Sequence, residues 1–210
     1  MKFEKISAEP RADFGKKGSN ALKRAGKIPC VLYGMGQETK HFSVTPKAVK
    51  ELIYTPDFKG AVINIDGAEY KGIIKEIQSH PVSDAITHID FIQLVPGKKV
   101  KAEIPVRCKG VAPGIKSGGA LVSKLRKIKV KALAEHLVNE LTVSISKLEL
   151  GSSVRVRDIK VPSGLEIMSP GGTPIASIEV PRALKSATSA AEGDEGTDDA
   201  APAEEAAPAE

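Results

Sequence analysis

Lys16, Lys17, Lys23, Arg24 and Lys27 crowd into residues 15–34 with no carboxylate among them. Cations gathered this closely repel one another unless something anionic neutralises them, so the chemistry they suit is the binding of phosphates. Gly15 and Gly18 interrupt the basic run, and glycine permits both φ > 0 and close backbone approach to a phosphate chain. Ser19 adds a hydroxyl and Arg11 a guanidinium just upstream. A second set, His80, Asp84, His88 and Asp90, carries groups able to ligate a metal. His88 and Asp90 lie two apart on an expected strand and share one face, where they can also hydrogen-bond ribose hydroxyls and base edges in a wide RNA minor groove. A metal site requires three or four convergent ligands with supporting hydrogen bonds, and spacing alone supplies neither.

The elements that must position these side chains are legible in the apolar pattern. Lys2–Glu9 reads as a first strand, with Phe3, Ile6 and Ala8 inward. Ser19 then caps a short helix over Asn20–Ala25 that Gly26 stops. Ile28–Tyr33 is a dense apolar strand and His41–Val44 another, separated by a turn at Gly34–Gln37. Thr45-Pro46 opens a second helix whose buried stripe is Val49, Leu52 and Ile53. Asp66-Gly67 joins Ala61–Ile65 to Glu69–Ile77 as a hairpin. His80-Pro81 turns the chain into Thr87–Leu94, with Ile89 inward. Residues 1–95 are therefore expected to form a small closed β-sheet or barrel with two short helices.

Pro96-Gly97-Lys98-Lys99 marks a junction. Beyond it Val100, Ala102, Ile104, Val106 and Cys108 alternate with polar or proline positions, the period of a half-buried strand. A glycine-rich loop, Gly110–Gly119, follows. Strands are expected at Leu125–Leu133, Leu141–Ser146, Ser153–Val161 and Ile175–Val180, so residues 96–182 read as a second all-β domain. Residues 183–210 contain only Lys185 as a cation against eight acids, in an Ala/Glu/Pro-rich composition that buries no core and is expected to be disordered. Removing that tail from the count leaves 30 basic against 18 acidic residues in 1–182, about +12, so the body of the chain suits a polyanionic partner.

Several function classes fall away. No nucleophile elbow, HExxH, CxxC or P-loop is present, and Gly110–Gly119 lacks the GK[ST] ending that cradles phosphates; an enzyme, a cofactor and a small-molecule substrate are not expected. No signal peptide or membrane span is evident, which points to a cytoplasmic protein. Cys30 and Cys108 are expected as buried reduced thiols in different domains. Aromatic residues are only 4% of the chain, too few for the stacking platforms of single-strand readers, so a paired RNA is the better fit.

Arg11…Gly15-Lys16…Ser19…Leu22-Lys23-Arg24…Ile28-Pro29…Tyr33-Gly34, followed by Gln78-Ser79-His80-Pro81…His88-Ile89-Asp90-Phe91, resembles the general stress protein Ctc family of bacterial large-subunit ribosomal proteins. Gly114-Ile-Lys-Ser-Gly-Gly119 and Leu148-Glu-Leu-Gly151…Val161-Pro162 look like the C-terminal domain of the family's long form. The resemblance implies a Greek-key-like N-terminal β-barrel that binds 5S ribosomal RNA. It assigns phosphate and ribose contacts to Arg11, Lys16, Ser19, Lys23 and Arg24, with Tyr33, Gln78, His88 and Asp90 completing the surface beside Gly15 and Lys17. His80 matches too, but a His-Pro turn has a structural explanation. The chain departs from the family where two arginines are common, at Asn20 and Ala21, and at Ala134–Leu141, where a proline-rich turn is usual. The large ribosomal subunit, neighbouring ribosomal proteins and 23S rRNA through the second domain are further implied partners. Separately, charge sign alone suggests that Lys124, Arg126, Lys127, Lys129 and Lys131 either touch neighbouring RNA or keep the strand edge soluble. Two other readings stay open: a protein-binding β module with an incidental basic loop, and a metal-dependent hydrolase using His80, Asp84, His88 and Asp90.

Overall fold

A computed structural model describes residues 1–34 and 36–181; the acidic tail and Met35, within the expected Gly34–Gln37 turn, lie outside the described residues. The chain begins with β1 (Phe3–Pro10), α1 (Gly15–Arg24), β2 (Ile28–Gly34), β3 (Gln37–Val44), α2 (Pro46–Ile53), β4 (Gly60–Ile65), β5 (Ala68–Ser79) and β6 (Ile86–Gln93). These six strands close into a barrel in the order β1-β3-β2-β6-β5-β4, with β1 and β4 parallel across the closure and β2 and β6 parallel within the wall. Closure removes the exposed strand edges of an open sheet.

Alternation decides which side chains fill the barrel. Ile6, Leu32, Phe42, Ile63, Ile89 and Phe91 are all at most 1% exposed, and each contributes roughly 1.5–3 kcal/mol by leaving water. Phe3 departs from its expected inward place and is 39% exposed. A strand side-chain period of two puts residue 3 on the face opposite residue 6, and Phe3 instead covers Gly60 on β4 from outside. The Asp66-Gly67 hairpin forms as read, with φ of 50° and 84° at the two turn residues, the left-handed pair that matches the twist of the flanking strands. Thr45 and Pro46 start α2 as expected, which buries Val49 and Leu52 while Ile53 is half-buried.

The second domain comprises β7 (Lys99–Lys109), the one-turn α3 (Pro113–Lys116), β8 (Ala120–Ser123), β9 (Lys127–Leu133), β10 (Leu141–Ser144), β11 (Ser153–Arg155), β12 (Leu165–Ile167) and β13 (Pro174–Glu179). A four-stranded sheet, β10-β7-β9-β12, faces a three-stranded one, β11-β13-β8. Ile104, Ile128, Leu141, Ile175 and Ile178 form the core between them.

Three expectations are corrected here, and one segment gains a shape that the sequence left open. The Gly110–Gly119 loop holds a helical turn, because Gly114 lets the chain pass against the Glu149–Leu150 backbone. Ser153–Val161 is a strand only to Arg155, after which Asp158 accepts from the Arg155 backbone N–H and closes a 3-10 turn. The segment at 134–141 opens with a 3-10 turn over Ala134–His136 and is anchored by buried Leu137. Cys108 is half-buried rather than buried: β7 leaves β9 at the Pro105–Lys127 pair and continues with only β10 beside it. Cys30 does lie in the barrel core, where burial, then the Asp90 charge, push its thiol up to about 12. Both cysteines are free thiols.

The two domains touch. Arg107 on β7 binds Asp57 at 2.5 Å and Glu140 at 3.0 Å, and the Phe58 N–H donates to the Asn139 carbonyl at 3.0 Å. Ile73 and Leu94 of the barrel half pack into the second core.

Candidate nucleic-acid interface

Helix α1 starts five residues before the expected first helical position, and Ser19 sits inside it rather than capping it. Phe14 is the cap residue, in extended conformation, and the chain then turns through Gly15 at φ +86°. Gly18 is required by contact: a Cβ there would lie 2.9 Å from the Asp13 carbonyl oxygen. These glycines therefore bend and seat the helix start. Gly26 ends the helix as expected, its N–H and that of Lys27 returning to the Lys23 and Leu22 carbonyls.

Arg11 and Ser19 form a latch. The Arg11 guanidinium donates to Ser19 Oγ at 2.8 Å and to the Asp13 carbonyl at 2.6 Å, tying the end of β1 to the middle of α1. Phe14 stacks edge-on against His41 of β3 with ring centres 4.9 Å apart, and the Arg11 guanidinium lies over the Phe14 ring at 5.9 Å from its centre. Arg11→Ala and Ser19→Ala should therefore each weaken folding. Their effects should overlap with a coupling of about 1 kcal/mol, since each removes the same charge-assisted bond. Chemical unfolding of the two single variants and the double variant measures it, and strictly additive losses would disprove the latch.

No residue of α1 is fully buried. Gly18, Ser19 and Leu22 are half-buried against the barrel, whereas Lys16, Asn20, Lys23 and Arg24 are exposed at the i, i+4, i+7, i+8 spacing of one helix face. Lys17 is exposed beside them. Lys16 and Lys17 occupy the first helical turn, where the helix dipole disfavours positive charge, and no acid balances them. Lys27 differs from its expected unpaired state, because it forms an ion pair with Glu9 of β1.

Next to α1 the outer wall of the barrel presents the remaining expected residues. Register sets Val31 opposite Asp90, Tyr33 opposite Ile92, and Gln78 opposite His88. With Ile89 and Phe91 pointing inward, His88 and Asp90 face out together. His88 Nδ1 lies 2.7 Å from Asp90 Oδ1, a contact that orients the ring. Burial raises the Tyr33 phenol above its ordinary value, with Asp90 and Glu76 adding to the shift, so it stays a hydrogen-bond donor at neutral pH.

His80 belongs to a turn. Its Nδ1 accepts from the Val82 and Ser83 N–H groups, both at 3.3 Å, and its backbone pairs with Asp84 and Ala85. Asp84 sits at φ 53° in that turn. No three His, Cys, Asp or Glu side chains among the described residues converge as a metal-binding group.

The fold also assembles groups that sequence reasoning missed. Phe14, 62% exposed, stands at the lip of α1. Lys47, Lys50 and Tyr54, from α2 and its end, join Lys23, Lys27 and His80 around a groove of about 540 Å³. The exposed lysines of α2 were the available signal, but only closure of the barrel brings them beside α1.

A family model described as "Ribosomal L25p family" matches residues 6–91, and one described as "Ribosomal protein TL5, C-terminal domain" matches residues 99–182. The chain is 39% identical to a large ribosomal subunit protein bL25 of Porphyromonas gingivalis over 188 residues, covering 89% of this chain and 97% of the relative. A bL25 of Cytophaga hutchinsonii is 38% identical, covering 91% of this chain and 98% of its own. One of Bacteroides thetaiotaomicron is 41% identical, covering 81% of this chain and 86% of its own. The chain belongs to the bL25 family of large-subunit ribosomal proteins, in the form that carries a TL5-type C-terminal domain.

Proposed function

We propose that the chain grips a paired region of 5S ribosomal RNA through α1 and the adjoining outer wall of β2, β6 and β5. As a bL25 protein it is a structural, non-enzymatic component of the large subunit of the cytoplasmic ribosome, so the remaining question is which RNA its basic face meets. The observation that carries the reading is the helix itself. Four cations without an ion pair among the described residues, Lys16, Lys17, Lys23 and Arg24, lie along an exposed helix without a buried residue or a first-turn acid. The outward face of such a helix contributes little to folding, and two of its lysines oppose its dipole. An anionic partner offsets both penalties.

The strand face supplies the complement. A basic helix alone reads phosphates and fixes position without sequence information. Tyr33, Gln78 and the oriented His88–Asp90 pair beside it offer donors and acceptors to ribose hydroxyls and base edges, which the wide minor groove of paired RNA displays. The acidic members of this face, Asp90 and Glu76, disfavour phosphates there and suit the amino and hydroxyl groups of a groove floor.

Hydroxyl-radical footprinting of purified 5S rRNA with the full chain tests the reading. Protection of one paired segment is expected, and affinity should fall with salt at a log–log slope near −4 if about five phosphates are neutralised. Equal affinity for an unrelated RNA of the same length would overturn it.

A further inference from the structure

The barrel and the second domain enclose a cleft of about 600 Å³ that neither domain forms alone. Five lysines line it: Lys75 of β5, Lys98 of the connection, Lys99 and Lys101 of β7, and Lys131 of β9. Among the described residues, no carboxylate lines it. Its floor is apolar, with Ile92, Val95 and Val100, and Tyr33 forms part of the wall on the barrel side.

The charge arrangement is unfavourable within the protein itself. Lys101 and Lys131 are directly opposite one another in the β7–β9 ladder, a position where like charges destabilise a sheet. Lys99 is neutralised by Glu166 of β12, on the far side of β9. Glu166 lies opposite Lys131 in register; it holds its ion pair with Lys99, whose hydrogen bond and charge keep its carboxyl below the usual range, with a smaller contribution from Lys131. Lys75 and Lys101 form no ion pair among the described residues. A fold that only needed a soluble surface here has no reason to set lysine against lysine in one ladder and to add Lys75 from the other domain.

The cleft is also continuous with the face described above. Tyr33 belongs to both: it stands at the end of β2, whose beginning follows α1 directly. Seven residues of strand separate the end of α1 from the cleft, about 20 Å at 3.3 Å per residue. That span corresponds to a few nucleotides of a backbone running along the wall.

We propose that this junction cleft is a second phosphate-binding site for the same RNA strand or duplex that the barrel holds. Lys75, Lys101 and Lys131 take backbone phosphates, and the apolar floor beside Tyr33 takes ribose. The proposal rests on the barrel reading for the identity of the RNA and gives the second domain a share in its capture. Anion binding relieves the Lys101–Lys131 repulsion, so RNA should also tighten the domain junction.

The test is a full-length Lys75→Gln, Lys101→Gln, Lys131→Gln variant, titrated with purified 5S rRNA beside the wild type and a Lys23→Glu, Arg24→Glu variant. The triple variant should bind at least tenfold more weakly, with a salt slope shallower by about 2–3. Its melting temperature without RNA should hold or rise, because a repulsive pair is gone. Wild-type affinity and slope in the triple variant would overturn the cleft while leaving the barrel reading intact. Weakened binding in the triple variant, with normal binding by the α1 variant, would support the cleft and reject the α1 face. A lower melting temperature for the triple variant without RNA would show that the lysines hold the junction together, and would also overturn the proposal.

Discussion

Lys23→Glu with Arg24→Glu should remove 5S rRNA binding at physiological salt while leaving the protein folded. Both side chains are exposed in the last turn of α1 and form no ion pair among the described residues. If each makes one charge-assisted hydrogen bond to phosphate, at the low end of about 1.5 kcal/mol apiece, their loss amounts to about 3 kcal/mol, or roughly 100-fold. Reversing the charges adds repulsion on top. Folding loses far less, since placing acids at the negative end of a helix costs about 0.3–1 kcal/mol each at an exposed site. A Lys23→Gln, Arg24→Gln pair separates the two contributions, because it deletes the contacts without opposing the dipole. Filter binding at several salt concentrations and a thermal melt of each variant check the expectation. Affinity unchanged in both variants would mean that α1 does not touch the RNA.

Phe91→Ala should have the largest effect on stability. Phe91 and Phe42 are both fully buried, with ring centres 5.8 Å apart at the middle of the barrel. Truncating a buried phenylalanine removes its transfer free energy and leaves a void the strands cannot close, at about 3–5 kcal/mol. That is a large part of the stability of a domain this size. Phe91 also lies between Asp90 and Ile92 on β6, so the loss should loosen the outer wall that carries the His88–Asp90 pair. Urea unfolding followed by far-ultraviolet circular dichroism measures the change. A destabilisation under 1 kcal/mol would show that the barrel repacks around the gap.

The barrel and the second β domain were legible because strand periodicity is a local property. Residues such as Val100, Ala102 and Ile104 need only a half-buried sheet to explain their alternation, and they are buried as that pattern requires. The Asp66-Gly67 turn and the Gly26 helix stop were readable for the same reason: their backbone preferences act within a few residues. The helix start was misplaced because its cause is not local in the same way. Gly18 is shaped by contact with Asp13, and Ser19 by a guanidinium eight positions upstream. Ser19 has the composition of a cap but serves as an acceptor inside the helix.

The functional surface divides along the same line. Sequence alone settled that the body of this chain is strongly cationic, that its cations concentrate near α1, and that residues 88 and 90 share a face; each follows from composition or from a period of two. Which cations remain available was decided by the tertiary structure. It pairs Lys27 with Glu9 and Lys99 with Glu166, ties Arg11 to Ser19, and brings Lys75 of one domain to Lys101 and Lys131 of the other. The physical reason is that charge neutralisation and cleft formation depend on distances across strand pairings and between domains, and those distances exist only once the chain has closed on itself.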